Sequence, residues 1–372
     1  MEFPFELSQF QKEAIDALKN GDHVLVTAHT GSGKTLPAEF AIRYYTDMGK
    51  KIIYTAPIKA LSNQKYYEFQ KAFPTISFGI LTGDIKFNPE ADVLIMTTEI
   101  LKNTLYLKRL NQTQELDFEM DIETELGCVV FDEVHYINDP DRGKVWEETI
   151  ILLPSHIQML MLSATIDAPK RFCNWVKQIK ETDDIKKNVV LTGTNERVVP
   201  LVHYMYAVTP RKMDCKDKEV LGIMLSKCNK PQVLKGGGKK DLDSSLYYAL
   251  RKVKEYQYKQ KIDIRKGFVL NELVRYLNNN DMLPAICFVF SRKQAEQMAF
   301  QMDLSLFESD SAYSQIVEKE CRHIIMKLPN YKEYIELPEY QNVVSLLEKG
   351  IAVHHSGIAP VLREMIELLF SK

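Results

Sequence analysis

The sequence predicts an α/β protein: a parallel sheet with helices on both faces, then a second unit of the same kind that is only begun. Three observations carry this reading. Short apolar runs alternate with longer amphipathic stretches through the first two hundred residues. The run Ala28-His-Thr-Gly-Ser-Gly-Lys-Thr35 stands between one such apolar run and a helix-like stretch. Acidic or small hydroxyl residues follow two further apolar runs, at Asp132-Glu133 and at Ser163-Ala-Thr165. Strands that alternate with helices form a parallel sheet covered on both sides. Such sheets bind ligands at the C-terminal ends of their strands.

Taken in order, residues 23–27, 51–55, 92–96, 127–131 and 158–162 read as buried strands, with helices at 35–48 and 60–72 among them. The first domain is therefore placed at 1–205. Residues 206–262 form a linker with Lys235-Gly-Gly-Gly-Lys-Lys240 and a charged, Tyr-rich, helix-like stretch at 245–262. Three glycines in a row hold regular structure poorly, so the run is either a flexible surface loop or a basic loop that contacts phosphate. The αβ pattern restarts in 263–372. A helix is expected at 267–280, a strand at 285–290, a helix opening at Ser291, a strand at 350–354 and a helix from Pro360. Two strands fall short of the five or six of a doubly wound domain, so this second domain is expected to be truncated.

The composition excludes several classes. The chain has 372 residues, 45% of them hydrophobic, and a formal charge of -2. Near-neutrality argues against a histone-like or tail-like binder but leaves room for a locally basic groove. Six cysteines lie too far apart for a Cys-x-x-Cys metal or redox site. They are expected as buried, reduced thiols of an intracellular protein, nuclear or cytoplasmic. No stretch reads as a signal segment or a membrane span.

The run from Ala28 to Thr35 has the strand-loop-helix setting of a phosphate loop. Gly31 and Gly33 let the backbone turn N–H groups toward phosphate oxygens, and Ala28, His29, Thr30 and Ser32 complete the turn. Lys34 places a positive charge at the β- and γ-phosphates, and Thr35 offers a hydroxyl to Mg²⁺. ATP and Mg²⁺ are the ligands this implies. Asp132-Glu-Val-His135 ends the strand at 127–131. Asp132 is placed to hold Mg²⁺ and Glu133 to orient and deprotonate a water. Ser163 and Thr165 either sense the γ-phosphate region or cap the helix that follows.

Further stretches occur in a fixed order: Phe5-Glu-Leu-Ser-Gln-Phe-Gln11, Pro57-Ile-Lys-Ala-Leu-Ser-Asn-Gln-Lys65, Leu81-Thr-Gly-Asp84, Met96-Thr-Thr-Glu-Ile-Leu101, Val130-Phe-Asp-Glu-Val-His-Tyr136, Arg142-Gly-Lys-Val-Trp-Glu-Glu-Thr149, Phe288-Val-Phe-Ser291 and His354-His-Ser-Gly357. With the phosphate loop, this set resembles the superkiller-type DExH-box RNA helicases of superfamily two, the exosome-associated subgroup in particular. The resemblance implies a RecA-like P-loop domain followed by an incomplete second RecA-like domain. It implies an ATP-dependent 3′-to-5′ helicase acting on RNA, as a single strand or a duplex with a 3′ overhang, with the exosome or adaptor proteins as partners and no membrane. It assigns Gln11 to the adenine edge and Phe5 to stacking on the base. Pro57, Lys59, Gln64, Gly83, Asp84, Thr97 and Thr98 would line the RNA path, joined by Ser291, His354 and His355 from the second domain. His135, Ser163 and Thr165 would couple the two sites.

The sequence also departs from that family. Its members carry a Thr-Glu strand motif and a Gln- and Arg-rich motif after the His-His-Ser-Gly helix; here the one arginine after Arg322 is Arg363. An arginine finger is worth about 10³–10⁵ in rate. A fragment that binds ATP with Mg²⁺ and hydrolyses it poorly is therefore expected. Two other functions remain open on the sequence: a DNA helicase or repair translocase, and a non-catalytic, ATP-gated RNA-binding protein.

Overall fold

A parallel strand buried on both faces must be apolar at nearly every position, and the computed structural model shows five such strands side by side. It describes residues 3–370 apart from Asp84, 111–117, 119, 183–184, 211–214, 238–240, 308–311 and 329. The chain divides into two units, Met1–Pro200 and Leu201–Lys372.

The first unit runs α1 (Gln9–Lys19), β1 (His23–Ala28), α2 (Leu36–Asp47), β2 (Lys51–Ala56), α3 (Lys59–Ala72), β3 (Phe78–Leu81), β4 (Lys86–Phe87), β5 (Val93–Thr97), α4 (Thr98–Arg109) and β6 (Leu126–Phe131). A 3-10 helix at Val134–Asn138 follows, then α5 (Gly143–Leu152), β7 (Gln158–Ser163), α6 (Pro169–Lys180) and β8 (Val189–Thr194). The sheet order is β4-β3-β5-β2-β6-β7-β1-β8, and only the β3–β4 pair is antiparallel. Alternate residues of each central strand enter opposite cores. Val24, Tyr54, Ile95, Val130 and Leu160 pack with α1, α2 and α3. Leu25, Ile53, Met96, Phe131 and Met161 pack with α4, α5 and α6.

This order fixes where the motifs meet. Along the C-terminal edge lie Gly83 after β3, Thr97 ending β5, Pro57 after β2, Asp132 after β6, Ser163 ending β7 and the phosphate loop after β1. The acidic run therefore stands between the two groups of motifs. Strands β3, β4 and β8 were not anticipated from the sequence. They are short or only partly buried, so their apolar signal is weak.

The second unit begins with an antiparallel ribbon of β9 (His203–Met205) and β10 (Gln232–Lys235), packed with α7 (Lys218–Lys227) and α8 (Ser244–Lys259). Helices α9 (Lys266–Asn279), α10 (Arg292–Phe300), α11 (Tyr313–Ile325), α12 (Tyr331–Glu336), α13 (Pro338–Leu347) and α14 (Pro360–Phe370) follow. Helices α11, α13 and α14 share a core around Cys321, Val344 and Leu362.

The strands expected at 285–290 and 350–354 are not formed among the described residues. A strand exists only where a neighbour completes its ladder, and neither segment has one. Ile286, Phe288 and Phe290 are consequently exposed, Phe290 completely. Cys287 is exposed with them, against the expectation of buried thiols, whereas Cys128, Cys173, Cys228 and Cys321 are buried and Cys215 is partly so.

Candidate functional site

Gly31 and Gly33 both have left-handed backbones, with φ of +85° and +82°. Only glycine adopts this region without strain, and residues of this kind curl successive N–H groups into an anion-binding concavity. The Ser32 hydroxyl braces the turn by donating to the His29 carbonyl at 2.6 Å. Ala28 is buried at the end of β1, while Thr30 is exposed at the tip. Thr35 sits at the N-cap of α2, and its hydroxyl is not used for capping.

Lys34 is buried, and its ammonium lies 2.5 Å from Oε1 of Glu133. Glu133 occupies a left-handed backbone position, φ 50° and ψ 46°, where a residue with a side chain is strained. Asp132, just before it, is buried. One Asp132 oxygen accepts the Tyr54 hydroxyl at 2.6 Å and the other accepts the Glu133 N–H at 2.9 Å. Burial raises the Asp132 carboxyl above the ordinary carboxylate range; the Tyr54 hydroxyl and the Lys34 charge oppose this, and Glu133 adds to it. The second Glu133 oxygen is buried without a hydrogen-bond partner. His135 Nδ1 lies 3.3 Å from it and is also unmatched.

These residues fit magnesium and a nucleotide. Mg²⁺ is usually held by one or two carboxylates and substrate phosphates rather than by a protein cage. Among the described residues no cage of three or more His, Cys, Asp or Glu side chains exists. The Asp132 carboxylate and the uncommitted Thr35 hydroxyl are the groups that would hold it.

Gln11 joins α1 to the phosphate loop. Its side chain accepts the Ser8 N–H at 2.9 Å, a capping arrangement, and donates to the Gly33 carbonyl at 3.1 Å. Phe5 is exposed, with its ring centroid 6.1 Å from that of Phe3.

The motifs assigned to RNA lie on the other part of the strand-end edge. Lys59 opens α3, and its ammonium lies beside Gly83: a Cβ on residue 83 would meet it at 3.4 Å. Pro57 is buried, as is Thr97, the N-cap of α4. Thr98 is fully buried and its hydroxyl has no hydrogen-bond partner. The first turn of α4, which Thr98 opens, carries N–H groups without intrahelical partners. Gln64 is exposed and donates to Glu68 at 2.6 Å. Asp84 lies outside the described residues. In the second unit, the Ser291 hydroxyl caps α10, His354 lies 2.7 Å from Glu367 and His355 3.0 Å from Glu296. Ser163 is fully buried with an unpartnered hydroxyl, and Thr165 is exposed. Neither caps a helix, because α6 starts at Pro169 with Ala168 at its N-cap.

Residues 8–172 match the profile of the DEAD/DEAH box helicase family. Along its whole length the chain is 37% identical to "Antiviral helicase SKI2" of Saccharomyces cerevisiae, of which it covers 30%. It is 36% identical to "Exosome RNA helicase MTR4" of Homo sapiens, covering 32% of that protein. It is 35% identical to "Superkiller complex protein 2" of Homo sapiens, covering 28%. The chain is thus similar to the superkiller-type DExH-box helicases. It spans about three tenths of the length of these relatives.

Two residues of this site were not assigned a role from the sequence. Tyr54, fully buried in β2, holds Asp132; within an apolar run it reads as core. Arg142 donates to the Pro57 carbonyl and to Oε1 of Glu99 in the first turn of α4. Its guanidinium also stacks on Tyr136 and Trp146, at 5.8 and 5.6 Å from the ring centroids. It thus ties the loop after β2 to the start of α4 and to the turn after Asp132. Its presence in the quoted Arg142-Gly-Lys-Val-Trp stretch was the available signal.

Proposed function

We propose that the chain is the nucleotide-binding portion of an ATP-dependent 3′-to-5′ RNA helicase of RNA processing or decay, working with the exosome or its adaptors inside the cell. The observation that carries the reading is the Lys34–Glu133 ion pair beside the buried Asp132. Lys34, drawn to the β- and γ-phosphates of ATP, leaves Glu133. Glu133 then has both oxygens to orient a water and accept its proton. Magnesium, when bound with the nucleotide, neutralises phosphate charge. Thr35 and Asp132 would hold it, and Tyr54 keeps Asp132 oriented. Gln11, fixed to Gly33, is placed to read the base.

Across the same edge, Lys59, Gly83 and the first turn of α4 offer cationic and N–H groups to a sugar–phosphate chain regardless of base. His135 contacts Glu133 and, with Ser163 and Thr165, is the proposed relay between the sites. The names of the relatives support RNA and the exosome; the polarity follows from the family resemblance.

The test is RNA-stimulated ATP hydrolysis with unwinding of labelled duplexes that carry RNA or DNA overhangs at either end. Hydrolysis should depend on RNA, and unwinding should start from a 3′ RNA overhang. Equal use of DNA, or preference for a 5′ overhang, would contradict the proposal.

A further inference from the structure

The exposed face of α8 stands out in a chain of net charge -2, because residues 201–261 alone contain fourteen Lys or Arg against six Asp or Glu. One stripe of α8, Leu246, Leu250 and Val253, is buried against Val220 and Met224. The two neighbouring stripes face solvent. Helical spacing of four, three and four residues puts Tyr247, Arg251, Lys254 and Tyr258 in one line. Tyr248, Lys252 and Lys259 lie in the next. Tyr247, Tyr248 and Tyr258 are 48%, 60% and 85% exposed. A helix needs no tyrosine on its solvent side for its own stability, and these rings cover nothing in the core cluster of this unit.

Two of the cations are engaged: Arg251 pairs with Glu255 at 2.8 Å and Lys252 with Glu219 at 2.5 Å. Lys254 and Lys259 make no ion pair among the described residues and are exposed. Aromatic faces interleaved with cations match single-stranded nucleic acid, in which bases stack on rings and phosphates meet ammonium groups.

We infer that the exposed face of α8 is a second contact for single-stranded RNA, separate from the strand-end path of the first unit. The inference rests on the RNA reading above and adds a site to it. Its contact is sequence-tolerant, since no side chain on the face is placed to read base edges selectively. It strengthens binding mainly through charge, so it weakens as salt rises.

The test is fluorescence anisotropy of a labelled oligouridine on the full chain across a salt series. Variants are Lys254→Glu with Lys259→Glu, Tyr258→Ala, and Lys59→Ala as reporter of the first unit's path. All α8 changes are at exposed positions, and circular dichroism confirms folding. The charge reversals should weaken binding at least about tenfold and flatten the salt slope by about 1.4, at roughly 0.7 per phosphate contact. Tyr258→Ala should weaken it about tenfold, with ATP affinity unchanged.

If Lys59→Ala weakens binding and the α8 variants do not, the α8 site is wrong and the RNA reading stands. If the unmodified chain does not bind oligouridine, both fall. A silent Tyr258→Ala, with poly-glutamate displaced by the charge reversals as readily as RNA, would assign the face to an acidic protein partner and overturn the inference.

Discussion

The side-chain amide of Gln11 donates to the carbonyl of Gly33 at 3.1 Å, and a Cβ added to residue 33 would lie 2.7 Å from that same amide nitrogen. Helix α1 and the glycine-rich loop after β1 are therefore fitted to each other at one atom pair. Gly31 has nearly the same φ but nothing within 4 Å of a Cβ. Both alanine variants carry the backbone strain of a left-handed residue, about 1–3 kcal/mol; only Gly33→Ala adds the collision. Thermal unfolding should show Gly33→Ala less stable than Gly31→Ala, with Gln11→Ala returning part of the difference in the double variant. Additive effects would show that the two residues are not coupled.

Glu133→Gln keeps the shape of the site and removes the base. Hydrolysis should fall by about 10²–10⁴, while ATP stays bound and accumulates on the protein. Lys34→Ala should instead abolish nucleotide binding, read by a fluorescent ATP analogue. Comparable loss of binding in both variants would deny Glu133 its chemical role.

Arg142 reaches a carbonyl, a carboxylate and two rings with one planar group. Lysine keeps the charge and loses the fork and the stacking. Arg142→Lys should leave ATP binding intact and weaken RNA binding about tenfold, the order expected when a charged hydrogen bond is lost. Wild-type RNA affinity in this variant would mean that the tie is merely structural.

His23 is fully buried in β1, and burial pushes its pKa down to about 3, with the Lys187 and Lys180 charges adding to the effect. Its Nδ1 accepts the Met159 N–H at 3.1 Å, which needs the neutral ring. The folded state resists a proton that the unfolded chain takes up near pH 6.5. Stability is therefore complete above pH 6.5 and declines as pH falls toward 3, by up to about 1.4 kcal/mol per unit. Urea unfolding at pH 7.5 and 5.0 should differ by about 2 kcal/mol from this residue alone. His23→Gln should remove most of that difference; an unchanged pH dependence would place its origin elsewhere.

Phe288 and Phe290 are exposed on a segment without ladder partners. Chymotrypsin should cut there before it cuts the first unit, whose strands are buried and paired. Mass spectrometry of a brief digest reads the first cleavage, and initial cuts within 23–163 would contradict the prediction.

The sequence by itself determined the parallel sheet, the glycine-rich loop, the acidic pair and the family likeness, because these depend on local order: an apolar run, a glycine where φ is positive, a carboxylate at a strand end. It also singled out Gln11, Lys34, Asp132 and Glu133, which the fold brings together around the glycine-rich loop. Only the tertiary structure decided which strand lies beside which, and so that the Asp132 turn separates the phosphate loop from the Pro57, Gly83 and Thr97 group. The roles of Tyr54 and Arg142 were decided there too. A buried tyrosine in an apolar run looks like core until the carboxylate above it is seen, and the reach of Arg142 spans 85 residues of chain. The second unit shows the converse. Residues 285–290 have the composition of a strand, yet strand structure belongs to a pair of segments, and a run of apolar residues does not supply its own partner.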